Sequence, residues 1–544
     1  MSRTWTSRAG VSITDLVPAS LRREWVRRGD CPDRDVYTAF RERVRAHGTR
    51  EAVRDDERSL DYTALDREVR RVAGALAEHG VGELDIVGIR MPNGWRHVVA
   101  ELAVAALGAV ALVYPPGPGR RDTAALLGRS RARAAVFGAA ADADRTGDLP
   151  HLSAAFTFGA GELGARSLDA ADPQREVPAV AVDPEAPARI LVTSGSQAEP
   201  KMVAYAHNAV LGGRANYVRA LQRECDPMRA AMLMPLGSSY GSCATFVAIA
   251  ALGSTVLLQP RFDPAAALRL VESAGATHLF GVPTMLRRLA EHPRAAAEDL
   301  SGLRAVVSSS APLSEVTARA CGDRLGAEVI SVYGSTDGMN CHTAATGLGA
   351  GTGAPDPSVA EIGIADERGT WLPADEPGEV LARGPMTPLS YVAAPDLDER
   401  YRTPAGWVRS GDRGVLDARG RLHVLGRLEQ VVVRGGYTIS PAEVEREITA
   451  HPEVVDVVCV GVPDDDLGER MCACISLAAG SSGLELGALT GFLERERGLE
   501  RRKLPELLLV LAELPQAPTG KVCRRTTQAL ATEQCRPPLA EEIR

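Results

Sequence analysis

A short apolar run, Ile190 to Val192, stops at Thr193-Ser194-Gly195-Ser196, and Pro200-Lys201 follows. Small hydroxyl residues around a glycine let backbone N–H groups and Oγ atoms converge on an anion, and a lysine adds a point charge. The same composition also describes a Ser/Gly-rich surface turn, and no GxxxxGK[ST] phosphate loop is present. Other stretches offer matching chemistry. Val332-Tyr333-Gly334-Ser335-Thr336-Asp337 ends a strand on a hydroxyl and a carboxylate, and Trp407 to Asp412 places a carboxylate at a tight turn. Gly426-Arg427 and Arg434-Gly435-Gly436 add cations beside glycines, and Leu514 to Lys521 carries a lysine on a Pro/Gly-rich loop. Taken singly, Asp412 is equally a turn residue, Arg427 a surface cation and Lys521 a solvated tail residue.

These residues need elements to bring them together. Leu65, Val69, Val72 and Leu76 have helical spacing after a hairpin-like segment, Ala52 to Tyr62. Strand, helix and strand then alternate: Asp85–Met91, Trp95–Leu107, Ala109–Tyr114, helical Arg120–Ser130 and Ala134–Phe137. This spacing predicts right-handed βαβ units in a mainly parallel sheet. Residues 142–184, rich in Ala, Asp, Gly and Pro, are expected to form a surface connection. A second cycle of the same kind runs from Ile190 to Tyr333. Beyond Thr346, strands alternate with Gly, Asp and Pro turns, which predicts antiparallel β structure. A tail with β, α and β patterns follows residue 427 and is long enough for a compact domain. The expected fold is therefore α/β (α+β overall), with a large domain over 1–427 and a small α+β domain over 428–544.

The 544 residues exceed what one core normally holds, which also requires more than one domain. A net charge of −8 argues against bulk nucleic-acid binding and leaves small molecules or a protein partner. Ten cysteines lack any C-x-x-C pair; Cys472 and Cys474 would share one strand face as buried thiols. The first residues carry no apolar signal core, and no stretch of about 18 apolar residues occurs, so a cytoplasmic protein without membrane contact is expected.

Taken in order, the six stretches, with Ser440-Pro441-Ala442-Glu443 after the glycine pair, resemble the AMP-forming adenylate ligase superfamily. It includes acyl-CoA synthetases, peptide-synthetase adenylation domains and aryl-acid AMP ligases. The resemblance runs from about residue 20 to 530. Three segments, 21–40, 378–385 and 426–470, are most similar to stand-alone 2,3-dihydroxybenzoate-AMP ligases. The resemblance implies that Thr193, Ser194, Gly195, Ser196 and Lys201 hold the β- and γ-phosphates of ATP. Thr336 would contact the α-phosphate, Asp337 would hold Mg²⁺, and Asp412 with Arg427 would take the ribose. Ser309, Ser310, Ala311, Val332, Tyr333 and Gly334 would frame the adenine. Lys521 would bridge the attacking carboxylate and the α-phosphate. Leu428-Glu429 would be the hinge of a mobile C-terminal domain, and Gly435-Gly436 would admit a pantetheine arm from CoA or a carrier protein.

Several positions depart from that pattern. Gln197, Ala198 and Met202 replace the usual Thr, Gly and Gly, and Ala198 does not reach φ > 0 without strain on the order of 1 kcal/mol. Asp337 replaces Glu, which favours Mg²⁺ held through water, and Ala517 replaces Thr. The expected acid pocket comprises Ser238, Ser239, Tyr240, Cys243, Phe280, Val306, Ser308, Asn340 and Cys341. Ser239 stands where amino-acid-activating members carry Asp, and a buried ammonium without a carboxylate partner is costly, which disfavours α-amino acids. The mixed polar and apolar lining suits an aryl or arylacrylic acid activated as its acyl-AMP. The alternatives are an ATP-dependent diazotase acting on nitrite and an arylamine, an amino-acid adenylating enzyme, and an inactive ATP-binding homologue.

Overall fold

The structure is a computed structural model that describes residues 2–114, 120–139, 149–161, 164–172, 180–193, 200–222, 225–311, 313–342, 353–435, 437–464, 466–478, 480–481, 483–517 and 520–535. Two large sheets carry the first 342 residues. One has seven strands in the order Met202–Ala206, Pro187–Val192, Val110–Val113, Ile86–Arg90, Ala134–Phe137, Ala154–Thr157 and Ala165–Ser167. All neighbours are parallel except the first pair. The last two strands lie within the segment expected to be a surface connection. They are three and four residues long in an Ala- and Gly-rich stretch, too short for an alternation to stand out, yet Phe156 is fully buried beside the sheet.

The second sheet has eight strands in the order Met339–His342, Glu328–Ser335, Ala305–Ser309, His278–Gly281, Arg229–Met232, Thr255–Leu258, Glu51–Arg54 and Ser59–Asp61. Its middle is parallel, and the two outer pairs are antiparallel. The hairpin foreseen at Ala52–Tyr62 thus becomes the sheet's edge. Helix Trp95–Ala106 and the π-helical segment Ala244–Ala251 are apolar on nearly every side and almost entirely buried within the same core. All-round hydrophobicity is what an element packed on several sides requires.

A four-stranded antiparallel sheet follows: Glu361–Ala365, Gly378–Arg383, Val408–Leu416 and Leu422–Arg427. After Arg427 comes a five-stranded sheet of Tyr437–Ile439, Val432–Arg434, Gly468–Leu477, Val454–Asp464 and Leu507–Val510, packed with helices Pro441–Ile448, Leu486–Arg495 and Arg524–Cys535. Its two apolar clusters draw only on residues from Val432 onward. Cys472 and Cys474 are both buried there, with sulfurs 3.8 Å apart, as thiols on one strand face. Among the described residues, no helix is long and apolar enough to cross a membrane.

Candidate active site

The chemistry-bearing residues collect where the two large sheets, the four-stranded sheet and the C-terminal unit meet. Strands Pro187–Val192 and Met202–Ala206 are antiparallel, with Val192 opposite Met202, which sets Thr193 beside Lys201. Thr193 N–H donates to Lys201 O at 3.0 Å, and Lys201 N–H donates to Thr193 Oγ1 at 3.2 Å. Arg129 Nη2 anchors Pro200 O at 2.6 Å. The Lys201 ammonium lies 4.0 Å from the Tyr401 ring centroid and 5.7 Å from that of Tyr391, a cation over two aromatic faces. Ser194, Gly195 and Ser196, with the atypical Gln197 and Ala198, lie outside the described residues.

Strand Glu328–Ser335 delivers the next group. It turns at Thr336-Asp337-Gly338 and returns as Met339–His342, pairing Tyr333 with Cys341 and Gly334 with Asn340. Tyr205 donates its hydroxyl to Thr336 O at 2.8 Å. Tyr391 donates to Asp337 Oδ1 at 2.5 Å, while Oδ2 has no hydrogen-bond partner among the described residues. Burial, and then the Asp337 charge, pushes the Tyr391 phenol far above its ordinary range, so it stays protonated as a donor. Neither tyrosine was foreseen: Tyr391 lies 54 residues from Asp337 in the chain, and nothing local marks it.

Asp412 sits on strand Val408–Leu416 directly opposite Arg427 on strand Leu422–Arg427. Arg427 Nε approaches Asp412 Oδ1 at 2.9 Å, and the Tyr333 hydroxyl donates to Oδ2. Asp412 is buried, which raises its pKa; Arg427 and then Tyr333 oppose that rise. Tyr333, expected only to help frame the adenine, thus also orients this carboxylate. Beside it, Ser309 is buried, Ser310 holds a φ of +80°, and Ala311 is exposed. A non-glycine residue in that region is strained, and such strain concentrates at functional sites. Val332 is buried behind this edge.

Lys521 reaches this edge from the C-terminal unit. Ala517 N–H donates to Lys521 O at 2.7 Å, and Gln516 forms an antiparallel bridge with Val522. Thr284 Oγ1 donates to Gly520 O at 2.8 Å, and Arg287 pairs with Asp456 at 3.0 Å across the same contact. Gly520 has φ +79°, and a Cβ there would meet Met285 Cε at 3.0 Å, so only glycine fits without strain. Burial, and then the charge of Arg427, lowers the Lys521 pKa. Leu428 N–H donates to Gly411 O at 2.8 Å, and Glu429 pairs with Arg400. Gly435 lies away from this edge with φ +54°, its N–H on Leu467 O at 2.8 Å; Gly436 is outside the described residues.

The residues expected to form the acid pocket are placed as follows. Ser238 Oγ donates to Pro235 O at 2.7 Å and accepts Gly241 N–H at 3.0 Å, so this hydroxyl shapes its own turn. Ser239 contributes its carbonyl, which accepts from Arg214 Nη2 at 2.8 Å. Tyr240 donates to Val307 O at 2.9 Å, and its ring stands 6.2 Å from Phe280. Cys243 and Cys341 are buried in the same apolar cluster, and Cys341 Sγ lies 3.1 Å from Gly353 O. The side chain of Asn340 is outside the described residues. Val306 corrects the sequence reading: it packs with Leu279, Val282 and Leu286 on the opposite face of the sheet. Strand side chains alternate, so Ser308 shares that face, and Val307 is the residue that packs with Phe280 and Tyr240.

The turn Pro235–Tyr240 rests on buried polar groups that went unnoticed in the sequence. Asn93 Nδ2 donates to Met234 O at 3.0 Å, and its Oδ1 accepts Leu236 N–H at 2.8 Å. Arg189 donates to Leu236 O at 3.1 Å and to Glu101 at 2.5 Å, and Glu101 faces His97 at 3.1 Å.

The model of the AMP-binding enzyme family matches residues 40–392, and that of the AMP-binding enzyme C-terminal domain matches residues 443–521. The chain belongs to the AMP-binding enzyme family. Triostin synthetase I of Streptomyces triostinicus is 31% identical, across 95% of this chain and 98% of that protein. A salicyl-AMP ligase / salicyl-S-ArCP synthetase of Mycobacterium tuberculosis is 28% identical, across 88% of this chain and 87% of its own length. The solved amide bond synthetase McbA of Marinactinospora thermotolerans superposes with a TM-score of 0.79 at 28% identity, across 91% and 99% of the two chains. Lys521 is the last residue matched by the C-terminal family model.

Proposed function

We propose that this enzyme uses ATP to activate an aryl or arylacrylic carboxylic acid as its acyl-AMP, and then passes the acyl group to the thiol of CoA or of a carrier-protein phosphopantetheine, with AMP leaving. One observation carries the reading: Lys521, held on a docked loop, stands within the field of Arg427 at the edge that also presents Thr336, Asp337 and Asp412.

In the first step a carboxylate oxygen forms a bond to the α-phosphorus of ATP. The bond from that phosphorus to the bridging oxygen breaks, and pyrophosphate leaves with the electron pair. Two anions must approach each other, so positioning and charge neutralisation supply most of the rate. Lys521 carries the charge between the carboxylate and the α-phosphate. Thr193 and Lys201 bracket the β- and γ-phosphates together with the loop between them, and Thr336 meets the α-phosphate. Asp412, oriented by Arg427 and Tyr333, accepts from the ribose hydroxyls, and the strained Ser309–Ala311 edge frames the adenine. The Asp337 carboxylate, fixed by Tyr391 with one oxygen left over, fits a hard cation. Mg²⁺ bound there would neutralise phosphate charge.

The segment Leu428-Glu429 is the proposed hinge between units 1–427 and 428–544. Rotation about it would withdraw Lys521 and bring Gly435-Gly436 to the site for the thiol. The relative named as both a salicyl-AMP ligase and a carrier-thioester synthetase supports a thiol acceptor. ATP–pyrophosphate exchange across a panel of aryl, arylacrylic, aliphatic and amino acids tests the reading. Exchange confined to aryl-type acids is expected, and no exchange with any carboxylic acid would overturn it.

A further inference from the structure

Arg214 ends a five-residue π-helical turn, Val210–Arg214, and its guanidinium lies against the turn that lines the acid pocket. Nη2 donates to Ser239 O at 2.8 Å and to Ser242 Oγ at 2.6 Å, and reaches Cys243 Sγ at 3.7 Å. The guanidinium carbon stands 5.3 Å from the Tyr205 ring centroid. Arg214 is only 6% exposed, and none of these partners is a carboxylate. Among the described residues no Asp or Glu side chain pairs with it.

Arg189 provides the contrast. It is equally buried, but the Glu101 carboxylate neutralises it at 2.5 Å, and Glu101 is already shared with His97. Arg189 and Arg214 repel each other, so the pair of arginines and the single glutamate leave one positive charge buried beside the pocket. A guanidinium taken out of water without an anion is strongly disfavoured, and an anion brought to it is correspondingly favoured. The reacting carboxylate has its own cation in Lys521, whose charged neighbour is Arg427. Arg214 instead donates to Ser239 O and Ser242 Oγ and lies against Cys243 Sγ, so the two cations serve different ends of the site.

We propose that Arg214 is the counterion for a second anionic oxygen group on the acid substrate, a carboxylate or an acidic phenol held at the Ser239–Cys243 end of the pocket. This rests on the adenylation reading above and narrows its substrate class. An acid with only one anionic group leaves Arg214 uncompensated; a doubly anionic aryl acid satisfies both cations at once.

The test is ATP–pyrophosphate exchange by the full-length enzyme with benzoate against benzene-1,2-, 1,3- and 1,4-dicarboxylates, and with cinnamate against its ring-carboxylated forms. At least one doubly anionic acid should exceed its parent by about tenfold or more in kcat/KM, mostly through KM, as a buried charge pair allows. Arg214→Met should collapse that ratio towards one, and Arg214→Lys should restore part of it. A wild-type enzyme that activates the singly charged acids as well as every dicarboxylate overturns the inference and leaves the adenylation reading standing. Equal losses for all acids in Arg214→Met, with the ratio kept, also overturn it. If Arg214→Met does not fold, the wild-type ratio and the Arg214→Lys ratio decide the matter. Exchange with no acid at all overturns both readings.

Discussion

Asp412 and Arg427 face each other across two adjacent antiparallel strands, with Arg427 Nε 2.9 Å from Asp412 Oδ1. The other carboxylate oxygen takes the Tyr333 hydroxyl, so this buried acid is oriented at both oxygens. Asp412→Asn keeps the shape but removes the charged acceptor. Hydrogen bonds to charged groups contribute roughly 1.5–3 kcal/mol, so KM for ATP should rise about 10- to 100-fold. Initial rates at varied ATP measure this.

The same pair gives a pH dependence. Burial raises the Asp412 pKa, and Arg427 is the largest opposing influence. As pH falls, the carboxylate form is lost at a higher pH than for an ordinary aspartate, and removing Arg427 raises that point further. In Arg427→Ala, KM for ATP should therefore climb more steeply between pH 7 and 5 than in the wild type. Parallel profiles for the two proteins would refute this.

Lys521→Ala should lower the adenylation rate by about 100- to 1,000-fold, the usual effect of deleting one charge-stabilising group. ATP binding, followed by calorimetry, should change only a few-fold, and consumption of pre-formed adenylate by a thiol should persist. The active form is the ammonium, and burial with Arg427 depresses its pKa. The alkaline fall in adenylation should therefore begin below the ordinary lysine range. Lys521→Arg, which stays charged, should lack that fall.

Tyr391→Phe removes the hydrogen bond that orients Asp337. Groups that orient a metal ligand typically account for 10- to 100-fold in metal affinity. The Mg²⁺ concentration at half-maximal adenylation should rise about tenfold, with little change in KM for the acid.

Docking of the Lys521 loop depends on Thr284, which donates to Gly520 O at 2.8 Å. Thr284→Val should slow adenylation by a few-fold to about tenfold, the worth of one neutral hydrogen bond, and leave thiol transfer from pre-formed adenylate intact. Glu429→Pro stiffens the proposed hinge and should show the opposite selectivity. Single-turnover measurement of the two half-reactions separates these outcomes.

The sequence by itself placed Thr336, Asp337 and Lys521 at turns and Arg427 at a strand end, and predicted the parallel sheets from strand and helix spacing; Asp412, expected at a tight turn, lies within strand Val408–Leu416. Those features are local: a β period of two, a helical period of 3.6, and glycines where the chain must turn. Alternation says that Val306 and Val307 face opposite sides, but it does not say which of them meets Tyr240 and Phe280; the packing puts Val307 there. The short strands Ala154–Thr157 and Ala165–Ser167 carry too little pattern and are defined by pairing with Ala134–Phe137 and with each other. Tyr391 at Asp337, Lys201 over Tyr401, and Arg214 with no acidic partner among the described residues depend on contacts between residues far apart in the chain. Charge balance in a buried site is a property of the assembled surroundings, so only the tertiary structure could set it.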